Sequence, residues 1–240
     1  MNPSGMTRHQ FLAELHAILR PRVYLEVGVQ TGASLALAEA AGVAIGIDPA
    51  PGVLGQFQRP NQNVRSMTAD AYFAEEDGWR QSGSSSYNLL QIDFAFIDGS
   101  HLFEDALRDY MNIARYLAPR AVVAFDDVLP YNQAIAERIQ PPGDWTGDVW
   151  KIDSVMRNWG PWPGTVRLVD TYATGTLLVT ADQPDAWLRS SERLAERFDE
   201  IVGRWATEGD AVPDHVLNRT WALDPVEVLN QLRAERATSA

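Results

Sequence analysis

The chain has no cysteine among its 240 residues. Disulfides, thiolate metal sites and a cysteine nucleophile are therefore excluded. Basic residues are also scarce: Lys151 is the only lysine, and 20 Lys and Arg face 32 Asp and Glu, for a net charge of −12. Such a surface repels nucleic acid and anionic membranes on average, so the expected partner is a small molecule, with no nucleic acid and no membrane. No apolar run is long enough to span a bilayer, and Met1–Met6 lacks the charged-then-apolar pattern of a signal peptide. A cytoplasmic location is the expectation. Hydrophobic residues at 45% and charged residues at 22% are ordinary for a globular protein, and the length suits one α/β domain.

Apolar periodicity divides the chain into alternating elements. Thr7–Leu19 carries Phe11, Leu12, Leu15, Ile18 and Leu19 at helical spacing, and Pro21 stops it. Strands are expected at Val23–Gly28, Val43–Ile47, Val64–Ala69, Phe94–Ile97, Ala121–Phe125, Val166–Val169 and Gly175–Thr180. Helices are expected at Ala33–Ala41, Phe103–Leu117, Asp185–Ala206 and Asp224–Arg236. The stripe of Leu188, Leu194, Phe198, Ile201 and Trp205 on the third of these suits packing on a sheet or a dimer seam, so a homo-oligomer stays open. Strands alternating with helices imply a mostly parallel sheet covered on both faces. The last two strands are too close for a helical crossover and make an antiparallel pair. Ser82–Ser86 reads as a surface loop. Four strands run into Asp48, Asp70, Asp98 and Asp126. Aspartate is common in turns and helix caps, but repetition at the carboxyl ends of strands points to a shared ligand rim.

Tyr24-Leu-Glu-Val-Gly-Val-Gln-Thr-Gly32 puts two glycines between a strand and a helix, with Glu26 inside the strand and Asp48 twenty residues after Gly28. A dinucleotide fingerprint would want a glycine where Val29 stands, and a carboxylate such as Glu26 is unwelcome near phosphates. A cationic cofactor fits better than NAD. The segment Glu26–Ser34 with Ile47-Asp48 resembles the first two motifs of the class I S-adenosylmethionine-dependent methyltransferases. The resemblance implies cofactor contacts at Glu26, Gly28, Gln30, Gly32 and Ser34, ribose contacts at Asp48, and adenine-side contacts at Asp70 and Ala71. It also implies a Rossmann-like, doubly wound α/β fold: a mostly parallel seven-stranded sheet with an antiparallel last strand.

Phe96-Ile-Asp-Gly-Ser-His101 is followed about 28 residues later by Phe125-Asp-Asp-Val128. If their strands are neighbours, Asp98, Asp126 and Asp127 converge, and three carboxylates select Mg²⁺ or Mn²⁺ over zinc. A solvated turn is the plainer account of an Asp-Asp pair standing alone. Both elements are similar to those of metal-dependent O-methyltransferases of the catechol and caffeoyl-coenzyme A type, and closer to bacterial sugar O-methyltransferases. That likeness covers roughly residues 20–130. It implies Asp98, Asp126 and Asp127 as metal ligands, with Asp98 also near the cofactor. The catechol enzymes carry a lysine base where this chain has His101. An imidazole there suits a general base, or else it is a loop or capping residue.

Beyond Pro130, Trp145, Trp150, Trp159 and Trp162 crowd a short stretch. Their flat faces suit a sugar or a phenol, and equally a packed lid. Tyr131, Asn132, Trp150 and Lys151 are the acceptor-contact candidates. The chain therefore reads as a single domain: an N-terminal helix over 1–20, a core over 21–182 with an aromatic-rich insertion near 130–164, and a helical extension over 183–240. The expected activity is Mg²⁺-dependent methylation of a saccharide or polyhydroxylated metabolite. A phenolic acceptor, a metal-independent methyltransferase and a nucleotide-binding protein that is not a methyltransferase are the competing expectations.

Overall fold

The computed structural model describes residues 5–52, 60–82, 91–159, 164–181, 184–209 and 211–238. Trp162, the side chain of Leu188 and the serine patch beyond Ser82 lie outside them. Seven strands form one sheet: β1 (Val23–Val27), β2 (Val43–Ile47), β3 (Gln62–Arg65), β4 (Ile92–Ile97), β5 (Leu117–Asp126), β6 (Thr165–Val169) and β7 (Thr176–Thr180). Their order is β3-β2-β1-β4-β5-β7-β6. Every pair from β3 to β5 is parallel, and β7 alone runs antiparallel to its neighbours β5 and β6. This is the Rossmann-like doubly wound sheet expected from the sequence.

Helices cover both faces: α1 (Arg8–Leu19), α2 (Ala69–Ser82), α3 (Phe103–Ala114), α4 (Lys151–Asn158), α5 (Pro184–Glu196), α6 (Phe198–Glu208), α7 (Asp214–Leu217) and α8 (Pro225–Ala237). The two cores follow from strand alternation. In β4, Phe94 and Phe96 join the cluster under α1 and α8, while Ala95 and Ile97 join the larger one under α3. No helix among the described residues is long and apolar enough to cross a membrane.

Three elements differ from the expected ones. Asp70 does not end a strand: β3 stops at Arg65, and Asp70 lies in the first turn of α2. Thr68 starts that helix, accepting from the Ala71 N–H at 3.2 Å. The single long helix is two, because the backbone at Arg197 leaves the helical region between α5 and α6. Ala33–Ala41 forms only a 3₁₀ segment, Leu35–Ala40, kinked at Ala38.

α1 is fixed at its start by a capping box between Thr7 and Gln10. It buries Phe11, Leu12, Leu15 and His16. The His16 ring meets Tyr24 and Phe94 edge-on at 4.5 and 5.1 Å, and neither ring nitrogen has a hydrogen-bond partner. Burial pushes its pKa down to about 4. As pH falls from about 6.5 towards 4, the unfolded chain binds a proton that the folded chain excludes, so stability falls with pH. The full effect is about 3 kcal/mol. Thermal unfolding of His16→Phe should show this acid-side slope removed; an unchanged slope would reject the assignment.

Candidate functional site

Ligands of open α/β sheets bind beyond the carboxyl ends of the strands, where the strand order reverses. Here that point lies between β1 and β4, and a cavity of about 970 Å³ opens there. Among the expected cofactor residues, Gly28, Gln30, Asp48, Asp70 and Asp98 lie in its wall. Glu26, Gly32, Ser34 and Ala71 are not among the residues that line it.

Gly28 has φ +90°, and an added Cβ would stand 1.8 Å from the Asp98 carbonyl oxygen. The glycine therefore permits β1 and β4 to close together at the rim. Asp48 organises the turn that follows: its carboxylate accepts from the Val29 and Gln30 N–H groups, both at 2.9 Å, and from Ala50 N–H at 2.7 Å. Glu26 is fully buried and accepts from the Tyr24 and Ser34 hydroxyls at 2.7 Å each. Burial lifts its carboxyl to about 7 despite those two hydrogen bonds. Glu26 and Ser34 thus satisfy each other beneath the turn. Asp70 accepts from the Asn112 amide at 2.6 Å. Asp109, which the sequence reading missed, also faces the cavity, and burial with Asp105 and Asp70 nearby lifts it to about 8. It is half-buried on α3, off the apolar stripe of Phe103, Leu107, Tyr110 and Ile113, so helical periodicity gives no signal for it.

At the other end, β4 and β5 are neighbours and bring their terminal carboxylates together. Asp98, His101 and Asp127 each offer one ligand atom, all within 4.8 Å of one another. Asp126, the third expected ligand, is instead engaged by Arg8, whose guanidinium donates to Asp98 at 3.0 Å and to Asp126. The other Asp126 oxygen, Oδ1, is buried without a hydrogen-bond partner. Burial and the neighbouring Asp126 push Asp98 well above the usual carboxylate range and Asp127 up to about 8. Crowded carboxylates with raised pKa values are suited to a cation. The carboxylates of Asp98 and Asp127 and the spare buried oxygen of Asp126 fit a divalent ion that prefers oxygen, such as Mg²⁺ or Mn²⁺, with His101 beside them.

His101 is held from the aromatic-rich insertion. Its ring stacks on Trp145 with centroids 4.7 Å apart, and its Nδ1 lies 2.6 Å from the Trp145 carbonyl and 3.3 Å from Asp127. A proton on Nδ1 donated to that carbonyl leaves Nε2 as the acceptor. Burial lowers the pKa, which favours the neutral ring. The insertion can lie this close because Gly147 has φ +55° and stands against the His101 carbonyl.

Two acceptor candidates take other places. Lys151 is buried, donates to Asp148 at 2.8 Å and sits over the rings of Phe103, Trp150 and Trp205. Trp150 is buried beside Trp205. Asp148 also accepts from Arg138 and from the Phe103 N–H, so the group anchors the insertion to α3. Asn132 accepts from the Ile135 N–H. Tyr131 is exposed and donates to Asp144, which lines the cavity with Trp145 and Tyr172.

Residues 25–128 match the family model described as a methyltransferase domain. No curated protein matches the chain. Among solved structures, a cofactor-bound protein from MTB, Rv0187, is 18% identical over 73% of this chain and 80% of its own, with a TM-score of 0.52. The SAH-bound methyltransferase PaMTH1 from Podospora anserina is 12% identical over 73% of this chain and 78% of its own, with a TM-score of 0.51. An O-methyltransferase from Bacillus cereus in complex with SAH is 19% identical over 72% and 80%, with a TM-score of 0.49.

Proposed function

We propose that this chain, whose residues 25–128 match a methyltransferase domain and whose sheet has the Rossmann-like order, is a class I methyltransferase that transfers the methyl group of S-adenosylmethionine to a hydroxyl of a saccharide or other polyhydroxylated metabolite, assisted by Mg²⁺ or Mn²⁺. The observation that carries this reading is the group of Asp98, His101 and Asp127 in the wall of the cavity that the glycine turn and Asp48 also line. When bound, S-adenosylmethionine supplies the methyl group and the divalent cation supplies Lewis acidity that eases loss of the acceptor proton. His101 takes that proton at Nε2, while the Trp145 carbonyl and the Trp145 ring hold the imidazole in place. An oxygen–carbon bond forms as the carbon–sulfur bond breaks, which leaves S-adenosylhomocysteine and the methyl ether. Holding the acceptor oxygen, the methyl carbon and the sulfur in line within the cavity would supply much of the acceleration.

Exposed Tyr172 in the cavity wall favours a second reading, a phenolic acceptor. Methyl transfer over a panel of sugars, polyols and phenols, with Mg²⁺, Mn²⁺ or EDTA, decides between them. Turnover of a polyol that is lost in EDTA is the expected result; activity that survives EDTA would remove the metal from the proposal. His101→Gln should lower kcat by about 10²–10⁴-fold with little change in KM for S-adenosylmethionine. Near-normal turnover in that variant would remove the base.

A further inference from the structure

Arg8 belongs to no motif around the site, yet it stands inside the acidic rim. It is the first residue of α1, and its position is set from several sides. Thr7 caps the helix with Gln10, the Arg8 N–H donates to the Tyr172 carbonyl at 3.0 Å, and the Tyr172 N–H donates to the Met6 carbonyl at 2.8 Å. The buried Phe11, Leu12 and Leu15 hold the helix against the sheet. From there the guanidinium reaches Asp98 at 3.0 Å and Asp126, and it lines the cavity. Asp98 is thus shared between this cation and the group of Asp98, His101 and Asp127.

A guanidinium keeps its charge at every accessible pH and has no lone pair to offer a metal. It can neutralise the rim, but it cannot take part in coordination. A divalent ion at the neighbouring group would meet its repulsion across a few ångströms in a partly desolvated site. We propose that Arg8 is a built-in counter-ion that competes with the divalent cation for Asp98, holding the rim together without metal and keeping metal affinity weak. The inference rests on the metal site of the proposed function. It assigns Arg8 a positioning role, with no contact to the reacting atoms.

The test is calorimetric titration of MnCl₂ alone into the wild-type chain, Arg8→Gln and Arg8→Lys, with thermal unfolding of each in EDTA and in saturating Mn²⁺. Arg8→Gln should bind Mn²⁺ at least about tenfold more tightly, because a unit charge beside the ion is gone. It should also melt lower than wild type in EDTA and recover most of that loss with Mn²⁺, since a ligand stabilises the state that binds it. Nη1 alone makes both contacts, and a lysine ammonium on a shorter stem reaches them less well while keeping the charge, so Arg8→Lys should bind more tightly than wild type and less tightly than Arg8→Gln. It decides the matter if Arg8→Gln fails to fold. Equal or weaker Mn²⁺ binding in the variants would overturn the inference and leave the metal site standing. Absence of Mn²⁺ binding in every form, with S-adenosylhomocysteine still bound, would overturn both.

Discussion

Asp98→Asn is expected to fold normally and to lose methyl transfer by at least about a hundredfold, equivalent to about 3 kcal/mol of transition-state stabilisation. Asp98 contributes to both halves of the rim: it offers a ligand atom beside His101 and Asp127, and it shares Arg8 with Asp126. Asparagine keeps the shape and removes the charge. Affinity for Mn²⁺ should fall along with turnover, because a neutral amide is a poorer ligand for a hard cation. Stability should move the other way. Burial and the adjacent Asp126 raise the Asp98 pKa well above the usual carboxylate range, so the folded state disfavours its charge. That cost is present above the unfolded pKa and grows until pH passes the folded one. The metal-free variant should therefore melt no lower than wild type at neutral pH, and higher if repulsion outweighs the lost Arg8 contact. Steady-state kinetics, calorimetry with Mn²⁺ and thermal unfolding in EDTA check the three parts. Wild-type turnover with wild-type metal dependence would end the proposed role of Asp98.

Gly28→Ala is expected to fail for a different reason. The added Cβ would lie 1.8 Å from the Asp98 carbonyl oxygen, at a backbone φ of +90° that a side chain rarely adopts. Neither partner can yield cheaply. The Gly28 N–H is bonded to the Ile47 carbonyl and the Asp98 N–H to the Val27 carbonyl, both at 2.8 Å, so the clash falls between two paired strand ends. The cost should exceed about 3 kcal/mol, in the range of overpacking combined with backbone strain. For a chain of this size that is a fall of roughly 6–12 °C in Tm. Binding of S-adenosylhomocysteine should be lost with it, since the turn carrying Gln30 is displaced. A wild-type Tm with intact binding would show that the rim has slack that its geometry does not suggest.

The sequence made much of this site legible. Gly28, Asp48 and Asp98 were singled out by local pattern, and all three stand at the carboxyl ends of parallel strands around one cavity. At Gly28 the structure adds to the expected cofactor turn a neighbouring backbone, that of Asp98 and Gly99, which leaves no space for a Cβ. Other readings went astray where burial runs against residue type. The segment that forms α2 is rich in acids and buries Tyr72, Phe73 and even Glu76, so it offers too few apolar positions to read as a helix. Its capping threonine, Thr68, with Asp70 two positions on, was the usable signal. Trp150 and Lys151 looked like surface recognition residues. They are interior because Asp148 and three rings supply what a buried ammonium needs.

By itself the sequence determined the alternation of strands and helices, the turn at Gly28 and the aspartates at the strand ends. These are local properties, set by apolar spacing, by backbone freedom and by what tolerates solvent at a strand's edge. Which charges face one another was decided only by the tertiary structure. Arg8 meets Asp98 and Asp126 across 90 and 118 residues of chain, and His101 meets the Trp145 carbonyl across 44. Those partnerships depend on the order of strands in the sheet and on where α1 and the insertion pack against it. No local pattern encodes either, so the acidic rim was visible in the sequence and the cation inside it was not.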